Sequence, residues 1–159
     1  MADEHDFDFI FGEWNIHNCK LADVTDPGCT EWIEFEATGH AEPVFGGLGH
    51  IDRMFVPTSA AVAGFEGLTI RQFDPATRVW RIWWASSRAP GHIDPPMEGV
   101  WADGRGVFYG DDVIGGRAVK LRFEWTTDDT DSATWQQSFS YDDGVTWGLN
   151  WVMEFSRRP

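Results

Sequence analysis

The sequence predicts an all-β protein, an up-and-down antiparallel β-barrel of about 8 to 10 strands with a short helical turn at its N-terminus. Roughly ten short stretches with strand-like residues are separated by closely spaced turn signals, and no stretch keeps the 3.6-residue period of a helix. The chain also contains ten tryptophans and twelve phenylalanines. A small solid core seldom packs so many large rings, whereas the wall of a hollow barrel accommodates them.

The chain begins with an apolar segment, residues 6–11, which Gly12 interrupts before a full helix could form. We expect one helical or 3₁₀ turn there, acting as a lid or plug, followed by a first strand at residues 13–21. Cys19 and Cys29 flank the next turn-rich segment. We expect two reduced thiols, because nothing directs the chain to an oxidising compartment; the alternatives are a cross-strand disulfide and a zinc pair that lacks close second ligands.

The middle of the chain contains six further predicted strands. In residues 31–37, Ile33 and Phe35 share one face while polar residues occupy the other, which is typical of a strand with one face in water. Glycines and a proline after that stretch predict bulges or a bend. Asp103-Gly104 predicts a tight hairpin turn. The six strands are residues 31–37, 49–56, 68–73, 79–86, 97–101 and 106–110.

The last third, residues 119–155, predicts three consecutive antiparallel strands. Asp143-Gly144 joins residues 134–141 to residues 147–155, because a type I′ turn needs positive φ at both central positions and Asp-Gly tolerates it. Counting back from that turn pairs Gln137 with Asn150.

The turn at residues 127–132 sets the register of the strand before it. If this turn is centred between Asp129 and Thr130, Arg122 lies opposite Gln137, and one lateral row of polar side chains crosses three strands. The row comprises Arg122, Gln137 and Asn150, and the next row comprises Glu124, Trp135 and Val152. Guanidinium and amide donors beside an aromatic wall suit a carboxylate, enolate or carbonyl oxygen.

Alternation alone permits the opposite arrangement, in which this row is a solvated outer face. The core would then be formed by the residues between them, Leu121, Phe123, Trp125, Leu149, Trp151 and Met153.

The formal charge is −14, from 12 basic and 26 acidic side chains. A charge of this sign repels phosphate backbones and anionic lipid headgroups, so we expect neither nucleic acid nor membrane surfaces as partners. No apolar run approaches the roughly 20 residues of a membrane helix, and no signal-peptide pattern is present. These features predict a soluble, cytoplasmic protein.

Few residues outside the polar row carry obvious chemistry. His50 and Asp52 share one face of a strand and form the best acid–base pair, and Glu124 is a further catalytic candidate. The remaining candidates for metal or haem ligation are scattered: His17, His40 and His92. Their spacing does not make them converge, so we expect no metal and no cofactor. No nucleophile elbow, phosphate loop or dinucleotide fingerprint occurs.

Several short motifs are distributed along the chain. They are Phe7-x-Phe9-x-x-Gly12-x-Trp14, Phe73-Asp74-Pro75, Arg122-Phe123-x-Trp125, Trp135-x-Gln137-x-Phe139-Ser140 and Asn150-Trp151-Val152-Met153-x-Phe155. Together they resemble a bacterial family of uncharacterised lipocalin-like, or calycin, proteins. The resemblance implies a single domain over residues 1–159, folded as a barrel around a small-molecule cavity, and it favours the inward orientation of the row that contains Arg122.

We therefore expect the protein to bind a small aromatic or polyketide-like molecule with a carbonyl or acidic oxygen. The expected binding residues are Arg122, Gln137, Asn150, Trp135 and Glu124. The first alternative is a cofactor-independent isomerase or cyclase that acts in the same cavity by positioning and hydrogen bonding. The second is a dimerisation module whose exposed tryptophans form the interface of a homodimer.

Overall fold

A computed structural model describes residues 1–127 and 129–159, and ten antiparallel strands within them close into a barrel. Consecutive strands pair along the chain, and the first strand, β1 (Gly12–Leu21), closes the barrel against the last, β10 (Gly148–Arg157). The strands between them are β2 (Trp32–Val44), β3 (Gly49–Val56), β4 (Phe65–Asp74), β5 (Val79–Ser86), β6 (Met97–Ala102), β7 (Arg105–Ile114), β8 (Arg117–Thr127) and β9 (Ser132–Ser140). The predicted all-β, up-and-down barrel is confirmed.

The strand bounds follow the turn residues closely. β3 and β5 have the bounds predicted for them. β2, in contrast, continues past Ala37 to Val44, because Gly39 does not break it. A Cβ on Gly39 would stand 2.9 Å from Cδ1 of Ile16, so the glycine makes room for a side chain of the neighbouring strand.

Both Asp-Gly turns form where the sequence predicts them. Asp103 and Gly104 have φ angles of 53° and 75°, and Asp143 and Gly144 have φ angles of 59° and 87°. These positive values are those of a type I′ turn, which matches the twist of the strands it connects.

The predicted register of the last hairpin holds only as far as a β-bulge. Ser138 pairs with Leu149 as predicted, but the next aligned pair is Gln137 with Trp151. Asn150 is therefore the extra residue of β10, and the predicted backbone pairing of Asn150 with Gln137 is wrong.

The register of β8 against β9 differs by one residue from the prediction. Arg122 pairs with Ser138, and Phe123 pairs with Gln137. A shift of one residue moves every side chain to the other face, so Arg122 does not share a row with Gln137. The turn that determines this register includes residue 128, which lies outside the described residues.

The N-terminal segment closes one end of the barrel. Its 3₁₀ turn, Asp8–Ile10, confirms the predicted helical turn. Phe7, directly before the turn, is fully buried, and its ring packs edge-on against Trp80 and Trp101 with centroid distances of 5.0 and 5.3 Å. We refer to residues 2–11 as the plug.

Side chains from the barrel wall hold the plug in place. The indole N–H of Trp14 donates to the Ile10 carbonyl at 2.7 Å, and Nη2 of Arg157 donates to the Phe9 carbonyl at 2.8 Å. The opposite end, which we call the mouth, is formed by the connections that follow the odd-numbered strands. The Thr25 carbonyl lies there, 3.7 Å from where a Cβ on Gly115 would stand.

Cys19 and Cys29 are both free thiols. No helix among the described residues has the length and apolar character that crossing a membrane requires. Of the described tryptophans, only Trp32 is exposed to solvent, with 41% of its surface accessible. An interface built from exposed tryptophans, the premise of the dimerisation alternative, therefore has little surface to use.

Candidate functional site: an apolar cavity with a buried arginine

An apolar cavity of about 310 Å³ lies inside the barrel, between the plug and the mouth. This volume falls in the range of small-molecule sites. Its aromatic wall includes Trp84, Phe123, Trp125, Trp135, Phe139, Trp151 and Phe155. Its polar lining consists of Thr25, Asp52, Thr69, Arg71, Asp94, Asp112 and Gln137. The hollow interior explains how the barrel accommodates so many large rings.

Among the described residues that line this apolar cavity, Arg71 is the one cation. On β4, residues of one parity point inward, so Arg71 follows Thr69 and precedes Phe73 on the buried face. The side chain of Arg71 is only 3% exposed. Its guanidinium lies 4.9 Å from the ring centre of Phe7 and 5.4 Å from that of Trp125, close enough for cation–π attraction.

The positive charge of Arg71 is only partly matched. Nη1 lies 2.5 Å from Oδ2 of Asp52, whose side chain is 18% exposed. Within the described part of the chain, however, Nε and Nη1 have no acceptor in hydrogen-bonding geometry. The contact with Asp52 is thus ionic without an aligned N–H···O bond. Buried donors without acceptors are costly, and an oxygen atom of a ligand would satisfy them.

His50 lies opposite Arg71 on the neighbouring strand β3 and packs against the plug. Its ring is fully buried, with ring-centre distances of 4.8 Å to Phe11 and 5.0 Å to Trp80. Neither ring nitrogen has a hydrogen-bond partner among the described residues. Burial, together with the positive charge of Arg71, lowers the pKa of His50 to about 4. The ring is therefore neutral at physiological pH.

The predicted pairing of His50 with Asp52 is not formed. Both residues lie on β3, but Asp52 contacts Arg71, and the ring nitrogens of His50 remain without partners in the described chain. The cavity lining includes Asp52 and not His50.

Gln137 and Asn150 are brought together, although not by the predicted backbone pairing. The bulge turns Asn150 so that its Oδ1 accepts a hydrogen bond from Nε2 of Gln137 at 2.9 Å, and both side chains are buried. Gln137 and Trp135 line the cavity. Asn150 does not line the cavity itself, but its hydrogen bond holds the Gln137 amide in place.

Arg122 and Glu124 lie on the outer face of β8, so their predicted inward orientation is wrong. The guanidinium of Arg122 stacks 4.6 Å from the ring centre of Trp147. Glu124 forms an ion pair with Arg105 and lies 3.7 Å from Nε of Arg122. Inward positions on this strand belong to Leu121, Phe123 and Trp125, the arrangement that the alternative interpretation of the sequence describes.

The sequence-based selection missed Arg71, the most buried cation of the cavity. A signal was present, because Arg71 is in phase with Phe73 and Thr69 within a predicted strand. No group of three or more His, Cys, Asp or Glu side chains in the described residues is arranged to hold a metal ion.

No protein-family model matches the chain, and no curated protein matches it. Two solved structures share its barrel over the whole length of this chain. The S-type phycobiliprotein lyase CPES from Guillardia theta has a TM-score of 0.62 at 10% identity, with 94% of its own chain covered. A redesigned β-barrel has a TM-score of 0.53 at 8% identity, with 100% of its chain covered. At such low identities, these similarities show the fold alone.

Proposed function

We propose that the protein binds a small aromatic or polyketide-like molecule inside the barrel and that Arg71 binds an acidic or carbonyl oxygen of that molecule. The observation that carries this proposal is a guanidinium, 3% exposed, that borders an apolar cavity with two donor nitrogens lacking acceptors in the described chain. A buried charge with incomplete hydrogen bonding raises the free energy of the empty protein, even beside the carboxylate of Asp52. A ligand oxygen lowers it again.

The cavity wall supplies the rest of the recognition. Trp125, whose ring faces the guanidinium, and Trp135 offer flat apolar surface for a ring system. Gln137, fixed by Asn150, adds an amide that can bond a second oxygen. We therefore propose Arg71 and Gln137, instead of Arg122, as the residues that bind the predicted carboxylate or carbonyl oxygen.

We also propose that the chain is one cytoplasmic domain of the bacterial lipocalin-like type that its motifs resemble. The structural likeness to a phycobiliprotein lyase supports a role for the barrel interior only through the shared fold.

The role of Arg71 is tested with two fluorescent probes that differ by one sulfonate, 8-anilinonaphthalene-1-sulfonate and uncharged N-phenyl-1-naphthylamine. Arg71→Met removes the charge and keeps much of the volume. We expect this substitution to weaken binding of the anionic probe by roughly 1.5–3 kcal/mol, or 10- to 150-fold, because a charge-assisted hydrogen bond is lost. Affinity for the uncharged probe should stay nearly constant in a fluorescence titration.

Two further variants sharpen the test. Asp52→Asn should strengthen binding of the sulfonate probe, because it leaves the charge of Arg71 unmatched. Arg122→Met, the same substitution on the outer face, should change neither affinity by more than about 0.5 kcal/mol. If Arg71→Met leaves the preference for the sulfonate intact, the anion is bound elsewhere and the proposal fails.

A second candidate function, the isomerase or cyclase, is favoured by the contact of Asp52 with Arg71 inside the cavity. A carboxylate that accepts a proton beside a cation that stabilises an enolate oxygen is suited to proton abstraction next to a carbonyl. Nuclear magnetic resonance of 2-tetralone in D₂O tests it. The wild type should speed α-proton exchange over buffer and Asp52→Asn should not; equal rates would refute the enzymatic candidate while leaving binding intact.

A further inference from the structure

Two carboxylates line the cavity at its other end. Asp112 follows the inward parity of β7, in phase with Phe108, and is half-buried. Asp94 belongs to the loop between β5 and β6, and its backbone N–H donates to the Trp84 carbonyl at 2.9 Å, which fixes the loop against the barrel wall. Both carboxylates border the same cavity as Arg71.

The two carboxylates are close enough to influence each other. Burial, followed by the charge of Asp112, raises the pKa of Asp94. The imidazole of His92, which lies 3.1 Å from the carboxylate of Asp94, is 60% exposed and does not belong to the cavity lining. Arg71 is the one Lys or Arg side chain among the described residues that line the cavity. On the cavity side, Asp94 and Asp112 therefore have no other cationic partner among these residues.

Arg71 lies deeper than the carboxylates. It pairs with Ile82 of β5, whereas the carbonyl that holds Asp94 belongs to Trp84, two residues nearer the mouth. Two residues correspond to about 7 Å along the strand. At these levels the wall presents the apolar side chains of Ile82, Trp84 and Phe123. Asp52 and Thr69 line the cavity beside them.

We propose that the ligand is bipolar: an aromatic molecule whose anionic end binds Arg71 and whose opposite end carries an ammonium or similar cation that binds Asp94 and Asp112. This inference rests on the proposed function and adds the chemical class of the ligand. An anion without the distal cation meets two negative charges at the mouth, whereas a bipolar molecule matches each end of the cavity.

The test uses pairs of probes of equal shape. 4′-(Aminomethyl)biphenyl-4-carboxylate carries the distal cation, and 4′-ethylbiphenyl-4-carboxylate replaces the ammonium with a methyl group. The pair 4-(aminomethyl)benzoate and 4-ethylbenzoate repeats the comparison on a shorter frame. The measured quantity is the ratio of the two affinities within a pair, from titration calorimetry at constant ionic strength.

For wild type we expect the ammonium probe of at least one pair to bind about fivefold more tightly, the upper end for a half-exposed ion pair. Asp94→Asn and Asp112→Asn should each reduce this ratio, and the double variant should abolish it. The control is Asp111→Asn, which removes the same charge one residue away. The side chain of Asp111 is 78% exposed and paired with Lys120 outside the barrel, so the ratio should not change.

The outcomes separate the two proposals. Arg71→Met should lower the affinity of both probes of a pair and leave the ratio of the two affinities unchanged. If both probes keep their affinity, the proposed role of Arg71 fails. Equal affinities of the two probes for wild type on both frames, or a preference that survives in the double variant, would overturn the bipolar ligand and leave the role of Arg71 standing.

Discussion

Replacing Phe7 with alanine is expected to lower the free energy of unfolding by about 3–5 kcal/mol, the range for removing a fully buried phenylalanine. The ring of Phe7 is 0% exposed and packs against Trp80, Trp101 and Trp125 at centroid distances between 5.0 and 6.0 Å. Rings around it cannot collapse inward, because their strands are fixed in a closed barrel. The cavity left behind therefore persists, and chemical denaturation with urea measures its cost.

The same variant tests whether the plug also supports the binding site. The guanidinium of Arg71 lies 4.9 Å from the Phe7 ring, so loss of the ring removes one of its two aromatic supports and brings water closer. We expect weaker binding of 8-anilinonaphthalene-1-sulfonate without any change in the cavity wall. Phe55→Ala is the matched control, because Phe55 is 57% exposed on β3; its cost should remain below about 1 kcal/mol. Equal costs for the two variants would mean that the plug is not a packed part of the core.

The features that local residue chemistry determines were predictable from the sequence. Asp103-Gly104 and Asp143-Gly144 adopt the positive φ angles their turn type requires, and such turns depend on only two residues. The alternation between them then predicts strands, and a succession of short connections predicts a meander. None of these inferences needs knowledge of distant contacts.

The register of the strands was less predictable. Residue pairs are counted from a turn, so one extra residue misaligns every pair beyond it. Asn150 forms a bulge that no local pattern marks, and the longer turn before Ser132 leaves the alignment of β8 open by one residue. One residue is enough to exchange the two faces of a strand. Arg122 was therefore assigned to the interior, whereas Phe123 lies there.

The pairing of Arg71 with Asp52 depends on the register of β3 against β4, across a connection without a tight turn. Sequence alternation places each residue on a face but does not show which charged groups meet inside. Arg71 and Phe73 are two residues apart in a predicted strand, so the sequence already placed both side chains on the same face. A charged residue on the apolar face of a strand is the feature to search for in such barrels.

Acid is expected to destabilise the protein through His50, by about 3 kcal/mol between pH 6.5 and about 4, the interval between its ordinary and its lowered pKa. In the unfolded chain the ring takes up a proton near pH 6.5, whereas in the folded barrel it stays neutral until about pH 4. The unfolded state thus binds more protons across this window. The contribution of His50 to stability is complete above pH 6.5 and is lost as the pH falls toward 4.

His50→Leu isolates this effect from the titration of the many carboxylates, because only the difference between variant and wild type is used. The variant should gain about 3 kcal/mol relative to wild type between pH 7 and pH 4 in urea titrations, since leucine has no proton to bind. It should also be at least as stable at neutral pH, because two buried nitrogens without partners in the described chain are removed.

His17→Leu is the contrasting control. The ring of His17 donates hydrogen bonds to the carboxylates of Glu36 and Glu34, and these bonds raise the pKa of His17. The contribution of His17 to stability is therefore present in acid and lost as the pH rises. The difference in stability between His17→Leu and wild type should be small and change with pH in the opposite sense. A constant difference between His50→Leu and wild type over the whole interval would show that water or a proton reaches the His50 ring in the folded barrel. That result would contradict the burial of this ring against Phe11 and Trp80.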